Sequence, residues 1–151
     1  MTIFDRIIAG DLPASFVHQD YHCVVFLDIN PVSRGHALVV PRLSQQHLAE
    51  LNEPLLAHIW RIARDVGAAQ QAGLGSLAQH FLVNDGPAAS QSVPHVHIHV
   101  IPRYRGDTVR TMSRIVWHLS TLMLPRRESA ARRQAMDRTA GLISEAMRNH
   151  A

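Results

Sequence analysis

Lysine is absent from this 151-residue chain, so all 15 of its basic side chains are arginine. That excludes Schiff-base chemistry, a pyridoxal phosphate anchor, a lysyl-nucleotide intermediate and the Gly-Lys-Ser/Thr of a phosphate-binding P-loop. Cysteine occurs once, at Cys23, which excludes an internal disulfide and any Cys-x-x-Cys zinc site. Within the apolar run Cys23-Val24-Val25-Phe26-Leu27 it reads as a small buried hydrophobe rather than a reactive thiol. No stretch approaches the roughly 20 apolar residues that span a bilayer. The opening Met1-Thr2-Ile3-Phe4-Asp5 lacks the basic start and apolar core of a secretory signal. These absences describe a soluble, cytoplasmic protein with no membrane partner. Charged residues are scarce at 18%, whereas 46% of the chain is apolar, enough for one core in a single domain. A net charge of +3 is too small to point to nucleic acid, but it favours a phosphate-bearing small molecule.

Eleven histidines are the surplus, and their placement follows from the order of elements. Thr2 caps a short helix that runs to Ala9 and is closed by Gly10, with Ile3, Phe4, Ile7 and Ile8 on its apolar side. Phe16–His18 and His22–Asp28 form a hairpin; a third strand, His36–Val40, ends at Pro41. Ser44 opens a short helix. Asn52 opens a longer one reaching Ala72, with Leu55, Leu56, Ile59, Ile62, Ala63 and Val66 at helical spacing and Gly73 as its stop. His80–Asn84 is a fourth strand. Pro94–Ile101, ended by Pro102, is a fifth. The expected fold is α+β, an antiparallel five-stranded sheet with helices packed on it. Two further helices, 110–124 and 128–147, are separated at Pro125; Arg126, Arg127, Arg132 and Arg133 read as a solvated helix face rather than a binding patch.

Alternate residues of a strand share a face, about 6.7 Å apart. His95, His97 and His99 therefore project together, with Val96, Ile98 and Val100 toward the core. A single histidine would be unremarkable; three in alternation are hard to explain by packing. Spacing alone leaves two chemistries open. Three imidazoles can bind zinc, iron or copper, although carboxylate and thiolate ligands are scarce nearby. Alternatively, a neutral imidazole attacks phosphorus while its neighbours neutralise phosphate oxygens. Ser90-Gln91-Ser92 supplies hydroxyl, amide and backbone donors beside the histidines, and tips the choice toward phosphorus.

The run Gln91-Ser92-Val93-Pro94-His95-Val96-His97-Ile98-His99-Val100-Ile101-Pro102-Arg103 resembles the signature of the histidine triad (HIT) superfamily. Ile3-Phe4-Asp5-Arg6-Ile7-Ile8-Ala9-Gly10-Asp11-Leu12-Pro13-Ala14 is similar to the family's opening. Phe26-Leu27-Asp28-Ile29-Asn30-Pro31 and Gly35-His36-Ala37-Leu38-Val39-Val40-Pro41-Arg42 are similar to its nucleoside-side strands. The resemblance covers 2–107, taken as a HIT domain; 108–151 is expected as a helical extension packed on or beside it.

What the resemblance implies can be stated residue by residue. His97 is the nucleophile that takes up a nucleoside monophosphate, and His99 contacts the α-phosphate. His95 buttresses the site and His36 stands behind the triad. Asn84, Gln91 and Ser92 hold the phosphate, with Ser92 also helping to protonate the leaving group. Asp28 binds the ribose, and Ile3, Phe4, Ile7, Phe26 and Ile29 form an apolar slot for the base. The implied activity is hydrolysis of purine nucleoside phosphoramidates or related nucleotides; the alternative is cleavage of dinucleoside polyphosphates by hydrolysis or phosphorolysis. A homodimer is expected and no cofactor. Many bacterial relatives carry an N-terminal Cys-x-x-Cys with further zinc ligands. Here Thr2 and Asp5 stand in those places and Ser44 stands where a histidine is common, so no structural zinc is expected. Two other readings stand beside these: a metal enzyme using the three histidines as ligands, and a nucleotide-binding regulator with an arginine-rich C-terminal surface.

Overall fold

The computed structural model describes residues 1–120 and 129–150. Among the described residues, four α-helices, α1 (Ile3–Ala9), α2 (Glu53–Leu74), α3 (Thr108–Ser120) and α4 (Ala130–His150), accompany five strands. These are β1 (Phe16–Gln19), β2 (Cys23–Leu27), β3 (Ala37–Pro41), β4 (Ala78–Leu82) and β5 (Ile98–Arg103). They make one antiparallel sheet in the order β1-β2-β3-β5-β4, so the expected α+β class is borne out. Among the described residues no helix is long and apolar enough to cross a membrane.

The sheet is covered on both faces, which is why β2 and β3 are buried along their whole length. On one face Val25, Leu27, Val39, Val96, Ile98 and Val100 pack against Leu55, Ile59, Ala63 and Val66 of α2. Ala140, Ile143 and Ala146 of α4 belong to that same core. On the other face α1 lays Phe4 over Val24, Phe26, Leu38 and Val40. Thr2 caps α1 through a reciprocal pair of hydrogen bonds with Asp5, and Gly10 ends the helix.

Several boundaries differ from expectation, each for a local reason. Helix α2 continues through Gly73 and ends at Gly75. Gly73 is instead a point of close approach, where an added Cβ would lie 2.7 Å from the carbonyl oxygen of Leu142 on α4. Ser44 opens no helix; one 3₁₀ turn spans Leu48–Glu50, and the Ser44 hydroxyl donates to Asp5 instead. β4 begins and ends two residues earlier than expected. Residues 94–97 lie outside β5 because Val96 gives its N–H to Gln45, in a loop, rather than to β3. Strand β5 in turn runs through Pro102, which faces the β3 side just past the last pair, Ala37 with Val100. Its missing N–H therefore costs no ladder bond, and its carbonyl accepts from Ser33. The expected helix sections at 121–124 and at 128, with Pro125, Arg126 and Arg127, lie outside the described residues.

Candidate active site

His97 and His99 lie on the α1 face of the sheet with ring centroids 4.8 Å apart, while Val96, Ile98 and Val100 enter the opposite core. Alternation thus survives although only His99 lies within β5. The Nδ1 of His97 lies 2.8 Å from the backbone carbonyl of His95. A carbonyl only accepts, so Nδ1 carries the proton and Nε2 keeps its lone pair. Phe4 sets its ring edge-on at 5.1 Å from His97 and limits the imidazole's rotation.

A second chain of bonds sets the tautomer of His99. Val32 donates its N–H to Nδ1 of His36 at 3.1 Å. His36 must therefore donate from Nε2, which meets Nδ1 of His99 at 2.9 Å. The ring proton of His99 then sits on Nε2, so the two triad imidazoles are complementary: His97 offers a lone pair and His99 an N–H. Both rings line one pocket. Asp28 also touches this chain, with Oδ2 3.7 Å from Nε2 of His36 and Oδ1 accepting the N–H of Asn30 at 2.8 Å. Its carboxylate thus both turns the chain and lines the pocket.

That pocket has a volume of about 330 Å³, within the range of small-ligand sites. Ile3, Phe4, Ile7, Phe26 and Ile29 form its apolar walls, with Asp28 at the side and Ser92, His97 and His99 at the polar end. Not every expected residue reaches it. The Gln91 side chain is used at both ends, accepting from Gly86 N–H at 2.9 Å and donating to the carbonyl of Gln46 at 2.8 Å, so it braces the loop. Asn84 is buried and, with His36 and His95, stands outside the lining. Arg133 and Met136 of α4, which the sequence reading did not place at the site, also line the pocket. The expected solvated arginine face is overturned here: Arg132 and Arg133 are half-buried, bonding the carbonyl of Ile29 and the hydroxyl of Ser15. Asp137 fastens the same turn by accepting from Ser15 at 2.6 Å. Arginine pairs spaced along a helix carry no signal that separates a pocket wall from a wet face.

The family model of the HIT domain matches residues 9–106. The chain belongs to the HIT family, a superfamily of nucleotide-binding hydrolases and transferases. It is 40% identical over 108 residues to an uncharacterized HIT-like protein of Methanocaldococcus jannaschii, covering 71% of this chain and 82% of that one. An adenylylsulfatase of Arabidopsis thaliana is 36% identical over 105 residues, 70% of this chain and 53% of that protein. The crystal structure of a histidine triad nucleotide-binding protein from Sulfolobus tokodaii superposes with a TM-score of 0.78 at 27% identity, over 97% of this chain and 91% of the other.

In this HIT protein the third triad histidine has a different environment from the other two. His95 is fully buried. Its Nε2 donates to the carbonyl of Pro41 at 2.8 Å, and its Nδ1 accepts from the Thr2 hydroxyl at 3.2 Å. Asp5 lies 3.7 Å away, and Ser44 bonds Asp5. Two hydroxyls, one carboxylate and one imidazole do not make the thiolate-and-imidazole donor set of a structural zinc site. They tie α1 to the triad by hydrogen bonds instead. The three triad rings also do not converge on a point: among the described residues, the grouping of ligand atoms here is Asp28, His36 and His99.

Burial pushes the pKa of His95 down, partly opposed by its bond to Pro41 and by the Asp5 charge. A lowered native pKa means that the unfolded chain takes up the proton first on acidification, so stability falls as pH drops below about 6.5. The melting temperature is expected to fall by several degrees between pH 7 and pH 5, and to fall less in His95→Asn. An equal fall in the two proteins would refute the assignment.

Proposed function

We propose that the protein is a nucleotide hydrolase working through a covalent nucleotidyl-histidine on His97. Its substrates are purine nucleoside phosphoramidates or related nucleotides, and its product is the nucleoside monophosphate. The observation that carries this reading is the pair of fixed tautomers, a lone pair on His97 Nε2 beside an N–H on His99 Nε2 in one pocket.

In the first step the His97 Nε2 lone pair attacks the α-phosphorus and the bond from phosphorus to the leaving group breaks. The leaving amine takes a proton from the Ser92 hydroxyl or from solvent, and the imidazolium formed on His97 is stabilised by the His95 carbonyl. His99 donates to a non-bridging oxygen, where charge builds up in the transition state. Water then attacks phosphorus from the face the leaving group vacated, and its released proton restores the Ser92 hydroxyl or passes to solvent. The phosphorus–nitrogen bond to His97 breaks, and the monophosphate departs. Asp28 accepts from the ribose hydroxyls, and Phe4, Phe26, Ile3, Ile7 and Ile29 enclose the base. A relative named as an adenylylsulfatase supports adenylyl substrates, and a cytoplasmic protein would meet them. Cleavage of dinucleoside polyphosphates is the competing activity, since a pocket of about 330 Å³ has room for one nucleotide and would leave a second outside it.

The test is release of AMP from adenosine 5′-phosphoramidate in excess EDTA. EDTA-resistant release is expected; loss of activity in EDTA would move the histidines to metal ligation. Arg133 at the pocket wall is expected to add affinity rather than chemistry. Arg133→Ala should raise KM about tenfold with kcat little changed, and a fall in kcat alone would contradict this. We also propose a homodimer formed through the edge strand β4 and the neighbouring α2, where Leu77, Phe81 and Trp60 are exposed. Light scattering at the mass of two chains is the expected result; a single-chain mass at micromolar concentration would reject it.

A further inference from the structure

The hairpin of β1 and β2 carries a second cluster of histidines that the reaction leaves unused. Asp20, in the turn, receives Nε2 of His18 at 3.1 Å and Nε2 of His58, from α2, at 2.8 Å on the same carboxylate oxygen, Oδ2. The sulfur of Cys23 lies 3.7 Å from that oxygen. The donor atoms of His18, Asp20 and Cys23 all fall within 4.8 Å of one another. The other oxygen, Oδ1, accepts the N–H groups of His22 and Cys23 at 2.7 Å each, which holds the carboxylate's orientation. The scaffold is rigid: His18 is on β1, Cys23 opens β2 and the two strands pair at Gln19 with Val24.

Nε2 of His58, Nε2 of His18 and the Cys23 sulfur lie 2.8, 3.1 and 3.7 Å from Oδ2 of Asp20, and the ligand atoms that gather close to one another here are those of His18, Asp20 and Cys23. Ligand atoms on a tetrahedron around zinc stand about 3.3–3.8 Å apart, given its bond lengths to nitrogen and sulfur. The donor set is too soft for calcium or magnesium and suits a borderline divalent cation. His18, Asp20 and His58 keep 29%, 25% and 17% of their side-chain surface, so an ion can enter from solvent, whereas Cys23 closes the inner side.

We propose that His18, Asp20 and Cys23 form three corners of a tetrahedral site for a divalent cation of the zinc type, separate from the triad pocket, with His58 turning in from Asp20 as the fourth ligand. Loading moves the ring protons of His18 and His58 from Nε2 to Nδ1, and the thiol proton leaves to solvent as the metal–sulfur bond forms. Arg61 donates to Nδ1 of His58 at 2.7 Å, a bond that a loaded site has to give up. Arg61 is exposed on the same helix face and can turn into water. Without metal, the same four residues act as a hydrogen-bonded clasp between hairpin and helix.

Titration of the EDTA-stripped full-length protein with Co²⁺ tests this. One equivalent should produce intense tetrahedral visible bands together with a sulfur-to-cobalt band in the near ultraviolet, both removed by Zn²⁺. Cys23→Ala, which keeps an apolar side chain in place, should abolish the sulfur band and weaken binding at least tenfold; His18→Gln should weaken it similarly. Arg61→Gln should bind several-fold more tightly, and His99→Ala should keep every band. Circular dichroism of each variant confirms that it is folded. The proposal is overturned if no sulfur band appears in the wild type, or if His99→Ala rather than Cys23→Ala loses the metal.

Discussion

Replacing His97 with alanine is expected to lower kcat by roughly 10⁴-fold or more, as loss of an enzyme nucleophile does. The fold should survive, because His97 lines the pocket and the His95 carbonyl it bonds remains within reach of water entering the vacated space. Nucleotide binding should persist, since the apolar walls and Asp28 are untouched. The covalent step can be read directly. Wild-type protein quenched in mid-turnover should gain the mass of one nucleoside monophosphate less water on His97, labile to acid as a phosphorus–nitrogen bond is. His36→Leu should slow formation of this adduct about 10- to 100-fold, because the donor that fixes the tautomer of His99 is gone. A fully active His97→Ala protein would remove the proposed mechanism, whatever the status of the fold.

The largest expected loss of stability comes from a residue far from the chemistry. Gly73→Val should destabilise the protein by about 3 kcal/mol, at the upper end for overpacking, and lower the melting temperature by about 10 °C. An added Cβ would lie 2.7 Å from the Leu142 carbonyl oxygen and 3.4 Å from the Ala146 side chain. Since the first contact is backbone, α4 has to move as a body. Arg133 and Met136 ride on α4, so the same substitution should raise KM. Thermal melting and steady-state kinetics read the two effects separately; an unchanged melting temperature would show that α4 is not held where α2 passes it.

Much of the core architecture was legible because its signals are local. The Thr2 cap and Gly10 stop of α1 are chemistry within one turn, and the α2 apolar stripe at Leu55, Ile59, Ile62 and Val66 is a matter of period. The apolar runs around Cys23–Leu27 and Ala37–Pro41 announce strands, whereas their cover on both faces came from the structure. Gly73 was misread for the same reason: a glycine near a helix end looks like a stop whether its missing side chain serves a turn or a neighbouring helix. Proline likewise marks a strand end in sequence, but Pro102 sits inside β5 because it pairs with Gln79 of β4 and faces β3 only past that strand's last pair.

At the site, residue type and spacing determined the three histidines and their separation from the core-facing valines and isoleucine; they left metal binding and phosphorus chemistry both open, and the adjoining Ser90-Gln91-Ser92 favoured the second. What they could not determine is which ring nitrogen carries the proton. That depends on a carbonyl two residues away for His97, and on His36 and Val32 across the sheet for His99. Tertiary structure also decided that Gln91 braces a loop and that α4 closes the pocket with Arg133 and Met136. Those facts rest on contacts between segments 40 to more than 100 residues apart, and no periodicity within a single segment encodes them. Local pattern chose the elements and the three histidines, whereas long-range packing chose the tautomer of His99, the pocket walls and the residues that hold them in place.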